Sequence, residues 1–213
     1  MSFWLYVPTA SRSNSARTCL IKQQVGTAQG GIQVFMRGSP EIEMYITSTT
    51  AGTFRSIGSN ALTFDAWNHV VFKYDGASDI SLYVNNGSST ASSGTYPTAL
   101  DNATINALEF HTHVHTPGGG AATARANDVC ILDEVIGFNI ALDASKRTEL
   151  YNSGKYIKAS DLSFASNVDS YFRMGDGSND SVANNQVYDE EDSSRYIEKV
   201  GTGTHGITQL TMN

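Results

Sequence analysis

From Ile80 the chain alternates strictly. Ile80, Leu82 and Val84 fall on one face of a strand, and Ser81, Tyr83 and Asn85 fall on the other. The run just before it, Trp67 to Tyr74, is rich in aromatic and β-branched residues, which pack well on a pleated surface. Asp75-Gly76 interrupts the two, and Asn85-Asn86-Gly87 supplies residues that tolerate the positive φ of a tight hairpin turn. A small-polar strand at 88–95 follows. Residues 67–95 therefore predict a β-meander at the heart of an antiparallel sheet, with one face buried and one face wet.

The same reading along the rest of the chain gives short strands at 3–7, 19–25, 32–37, 41–47, 54–57, 106–115 and 129–138, separated by Gly, Asn, Ser and Pro turns. One stretch, 142–152, reads as a helix, with Asp143 as its cap and Gly154 as its stop. Short strands with one brief helix predict an all-β fold, an antiparallel jelly-roll β-sandwich over residues 1–154. Residues 155–213 differ. They are more acidic, with strand patterns at 170–174 and 196–200, and read as a C-terminal extension folded on the sandwich or on a neighbouring subunit. Partial disorder is expected at Asp189-Glu190-Glu191-Asp192.

The chain has 213 residues and a formal net charge of -7, which argues against a nucleic-acid partner or an anionic membrane surface. Its longest apolar runs fall far short of the roughly 20 residues of a membrane span. The opening M-S-F-W-L-Y-V-P lacks the basic start and length of a signal peptide, so synthesis in the cytoplasm is expected. Cys19 and Cys130 read as two buried thiols, with a disulfide as the alternative.

Several blocks agree on a family. F-W-L-Y-V, F-D-A-W-N-H-V-V-F-K-Y-D-G, I-S-L-Y-V-N-N-G and I-L-D-E-V-I-G-F-N-I-A-L-D-A-S-K-R-T-E-L-Y-N-S-G resemble, in order and spacing, the concanavalin A-like, laminin G-like jelly-roll domains over about residues 3–154. That sandwich hosts lectins, hydrolases, adhesion modules and passive structural domains, so the resemblance implies a fold more than a function. D-S-Y-F-R-M-G-D-G-S-N-D, from Asp169 to Asp180, resembles a segment that follows such domains in tailed-bacteriophage structural proteins, and the final T-G-T-H-G-I-T-Q-L-T-M-N is loosely similar to their ends. Members of the fold usually carry a strand before the F-W-L-Y-V block. The tail or a neighbouring subunit is expected to supply it.

The sugar-hydrolysing relatives use two carboxylates on one strand. Here Asp133 and Glu134 are adjacent, so in a regular strand they point to opposite faces and cannot serve one sugar ring. With Trp67 they read as structural signature. Tyr45, Tyr83 and Tyr96 are the candidates for stacking on a glycan or for an interface. His111, His113 and His115 share one face of a strand, either as a solvent-facing row or as a transition-metal site at a symmetry axis. Asp75, Asp79, Asp101 and Asp128 sit in loops that could contribute to a calcium site, without a fixed ligand pattern. No cofactor is required by any of these patterns. The reading that results is a non-enzymatic virion protein, preferably trimeric, that decorates or cements a phage particle by contacts with other virion subunits. The alternative is a carbohydrate-binding adhesion module for a host or matrix glycan.

Overall fold

The computed structural model describes residues 1–9, 18–25, 31–36, 41–47, 54–59, 62–75, 80–88, 90–92, 105–112, 114–116, 120–123, 130–174, 177–181 and 186–198. Fifteen strands are named in chain order among them. They are β1 (Ser2–Tyr6), β2 (Thr18–Val25), β3 (Gly31–Met36), β4 (Ile42–Thr47), β5 (Phe54–Ser59), β6 (Trp67–Tyr74), β7 (Ile80–Val84), β8 (Thr90–Ser92), β9 (Ile105–Thr112), β10 (Val114–Thr116), β11 (Gly120–Thr123), β12 (Ile131–Phe138), β13 (Val168–Phe172), β14 (Gln186–Tyr188) and β15 (Tyr196–Glu198). A six-stranded antiparallel sheet runs β13-β12-β1-β6-β7-β8, and a five-stranded one runs β5-β4-β3-β2-β9. The predicted jelly-roll sandwich is this pair of sheets.

The main core lies between them. Phe3, Leu5, Val70, Phe72, Ile80 and Leu82 of one sheet meet Leu20, Ile21, Val34, Ile42, Met44 and Ile46 of the other. Most are fully buried, and each such side chain stabilises the fold by about 1.5–3 kcal/mol. The turn after β7 forms as its residues demand: Asn85 and Asn86 take φ of 52° and 54°, and the Gly87 N–H donates to the Val84 carbonyl at 2.9 Å.

The expected wet face of the meander is covered. Alternation sends Val71 and Ile136 to the side away from the main core, where they join Leu142, Leu150, Leu162, Phe164 and Tyr171 in a second cluster. Helix α1 (Ala144–Tyr151) and the 3-10 turns Ala159–Asp161 and Ala165–Asn167 supply that cover. Asp143 caps α1 as expected, accepting from the Lys146 N–H at 3.0 Å. The helix stops at Asn152, left-handed at φ 44°, two residues before Gly154.

The tail completes the sheet. β13 pairs with β12 along its outer edge, with Ile136 opposite Tyr171, and Phe172 and Val187 both enter the main core. Asp189 to Asp192, expected to be partly disordered, lead from β14 into the turn that the Arg195 N–H closes on the Asp192 carbonyl at 2.9 Å. Asp189 is fully buried, accepts from the Tyr171 and Glu191 N–H groups, and pairs with Arg195 at 2.8 Å.

Candidate functional site

The β12 strand carries the pair that sequence reasoning assigned to opposite faces. Between β1 and β12 the register steps from Ser2↔Ile136 to Trp4↔Asp133, so β12 holds one extra residue. Glu134 takes it up at φ 50°, in a bulge. Leu132 and Val135, an odd number apart, consequently both enter the main core. Asp133 lies opposite Trp4, and Glu134 reaches Tyr171 of the outer cluster. Both carboxylates therefore face the outer side of the six-stranded sheet, a correction that follows from the bulge. Neither is open. Asp133 and Glu134 are 5% and 3% exposed. Asp133 accepts from the Glu134 N–H at 2.9 Å.

Glu134 accepts from the Tyr171 hydroxyl and pairs with Arg173 at 3.5 Å. The Tyr171 hydroxyl also lies 3.0 Å from that of Tyr156. Burial first, then the Glu134 charge, push the Tyr171 phenol well above its ordinary range, so it remains a donor. This is a closed polar knot pinning the tail to the sheet.

On the same face Ser2 Oγ lies 2.7 Å from His69 Nε2. A serine beside a histidine can be nucleophile chemistry. Here Ser2 and His69 are both 1% exposed, and Tyr151 of α1 stacks over His69 with centroids 5.9 Å apart while Trp4 lies 5.0 Å away. Burial drops the His69 pKa to about 3. A neutral, covered imidazole of this kind holds the cover in place.

The predicted sugar platforms fare unequally. Tyr83 is half-buried with the Arg147 guanidinium 3.7 Å above its ring, a cation–π contact that docks α1. Tyr45 pairs with Gln33 and Ser56 in the five-stranded sheet, and its side chain lies outside the described residues, as does Tyr96. Trp67 packs edge-on to Tyr6 at 5.6 Å. The single strand expected at 106–115 is two: β9 pairs with β2, and β10 pairs with β11 in a separate ribbon. His111 and His115 thus belong to different sheets, His113 lies outside the described residues, and so do the side chains of the other two. Of the loop aspartates Asp75 is exposed, while Asp79, Asp101 and Asp128 lie outside. Among the described residues no three potential ligands gather around a metal position, and no helix is long and apolar enough to cross a membrane. Cys130 packs half-buried against the main core, and the Cys19 side chain lies outside the described residues.

The strand expected at 196–200 is present as β15, but its partner β14, and so the hairpin, was not read from the sequence. Val187 and Ile197 point into the main core, and the neighbouring register position sets Tyr188 directly across from Tyr196. Their ring centroids are 5.5 Å apart, and Tyr196 is 49% exposed, while the other large apolar side chains described are more covered. The signal was present. V-Y at 187–188 and Y-I at 196–197 mirror each other across a polar turn, which is a hairpin pattern.

A family model described as the concanavalin A-like lectin/glucanases superfamily matches residues 1–146. Among solved structures, the binding domain of Paraclostridial mosquitocidal protein 1 is similar at 19% identity and a TM-score of 0.51, covering 72% of this chain and 36% of that one. The binding domain of botulinum neurotoxin DC in complex with SialylT is similar at 13% identity and a TM-score of 0.48, covering 73% and 35%. Likeness at such identities shows the fold alone, and the chain spans about a third of each neighbour's length. No curated protein matches the chain.

Proposed function

Because the chain belongs to the concanavalin A-like lectin/glucanases superfamily, we propose that it is a carbohydrate-binding adhesion module and not a hydrolase. The observation that carries this reading is the fate of Asp133 and Glu134. The carboxylates that a hydrolase of this fold would aim at a sugar are 5% and 3% exposed and committed to internal bonds beneath the cover. A glycosidase needs two carboxylates reaching one sugar from solvent. What the described surface offers instead is exposed aromatic area on a rigid hairpin, which suits binding. The printed descriptions of the similar structures, both binding domains and one in complex with SialylT, are in keeping with it.

A virion role rests on the resemblance of residues 169–180. In this chain residues 169–172 of that segment lie in β13, where Tyr171 and Phe172 pair with β12 of the chain's own sheet. The β12 edge is filled by the chain's own strand, so that edge gives no support to assembly as a trimer or as particle decoration.

The test is a glycan array with the purified chain, followed by incubation of the best-bound oligosaccharide and chromatography of the products. The expected result is saturable binding with the oligosaccharide recovered intact. Binding to no glycan, or cleavage of the bound one, overturns the reading.

A further inference from the structure

We propose that Tyr188 and Tyr196 form a stacking platform for a neutral pyranose, at a site beyond the residues matched by the family model; this rests on the glycan-binding reading above. The site is built before any ligand arrives. Val187 and Ile197 anchor the hairpin in the main core, so the two tyrosines on its other face are held by backbone pairing at Val187↔Ile197 and Tyr188↔Tyr196. The Tyr188 N–H is fixed on Asp180 Oδ1 at 2.7 Å, and its hydroxyl donates to Gln186 Oε1 at 3.0 Å. That bond orients the Gln186 amide so that its NH2 group is left as a donor beside the Tyr188 phenol oxygen, which can still accept. A ring face for the C–H side of a sugar, with a donor and an acceptor at its rim, is what a pyranose needs.

The charge around the platform selects the sugar. Arg195, next to Tyr196, falls with Asp189 on the face of Val187 and Ile197, behind the two rings, and it is already taken. It bridges Asp189 at 2.8 Å, Asp192 at 3.5 Å and Asp169 at 3.9 Å, and donates to the Asp169 carbonyl at 2.6 Å. Among the described residues no cation stacks on or bonds to the two tyrosines, and the chain carries a formal net charge of -7. A sialic acid carboxylate brought to the platform meets the net negative charge of the chain and, among the described residues, no cation placed to pair with it. A neutral hexose or N-acetylhexosamine meets neither cost.

The experiment uses the full chain against arrayed neutral and sialylated oligosaccharides, with calorimetric titration of the best ligand into wild type, Tyr196→Ala and Tyr196→Phe. The expected result is a neutral ligand whose affinity falls at least tenfold in Tyr196→Ala and is largely kept in Tyr196→Phe, with the thermal midpoint unchanged in both. A neutral ligand bound equally by Tyr196→Ala overturns the site and leaves the glycan-binding reading standing. A best ligand that is sialylated overturns the sugar class. Binding to no glycan overturns both readings together.

Discussion

At the scale of single residues, His69 is a group whose protonation folding changes strongly. It is 1% exposed, between Trp4 and Tyr151, and burial lowers its pKa from 6.5 to about 3. The folded state resists protonation while the unfolded chain accepts it near pH 6.5, so the unfolded state binds more protons between the two values. Stability from this group is present in full above pH 6.5 and is lost as pH falls towards 3, at about 1.4 kcal/mol per pH unit. A His69→Gln variant lacks that proton. Urea midpoints measured from pH 7 to pH 4 are expected to fall less steeply for the variant, by about one bound proton. Parallel slopes for the two proteins would show that the imidazole does not carry the effect. None of this was legible beforehand, because a histidine in a run of apolar residues records no depth. The Tyr188–Tyr196 pair escaped for another reason. Its strands are three residues long, and the Asp-Glu stretch between them reads as a solvated acidic run.

At the scale of elements, the strands were legible wherever alternation ran for five residues or more, since burial on one face writes itself at period two. The cover of residues 139–167 was not, although the sequence held a hint. The unbroken apolar pairs Val70-Val71 and Val135-Ile136 mark a sheet buried on both faces. The β12 bulge could not be read at all. It is a mismatch in count between two strands far apart in sequence, with Trp4 opposite Asp133, and no local residue announces it. Its energetics can be separated by two variants. Glu134→Ala removes the contacts to Tyr171 and Arg173 and keeps a Cβ at φ 50°, whereas Glu134→Gly removes the same contacts and relieves the backbone. Both are expected to be less stable than wild type by about 3 kcal/mol, because a buried hydroxyl and a half-buried guanidinium lose their shared acceptor. The glycine variant should be the more stable of the two by about 1 kcal/mol. Chemical denaturation of the pair checks this, and an alanine variant at least as stable as the glycine one would remove strain from the account.

At the scale of the whole molecule, the division of the chain at 154 suggested by composition does not coincide with a division of its contacts. Phe172 and Val187 belong to the main core, Tyr171 to the outer cluster, and β13 to the six-stranded sheet. Composition sees an acidic, turn-rich tail, but a strand of five residues joins a sheet by its backbone, and backbone pairing leaves no trace in charge. A chain ending at residue 167 tests the consequence. It would lose Phe172 and Val187 from the main core, each contributing about 1.5–3 kcal/mol, and Tyr171 from the outer cluster, and would leave Glu134 buried without the Tyr171 hydroxyl. It would also expose the edge of β12 as an unpaired template for another strand. The expected outcome in sedimentation velocity is association, together with a thermal midpoint well below that of the full chain. If the truncated chain instead ran as a monomer and melted cooperatively at the full-length midpoint, residues 168–213 would be an appendage, and the tyrosine platform they carry would have to be held by something other than this core.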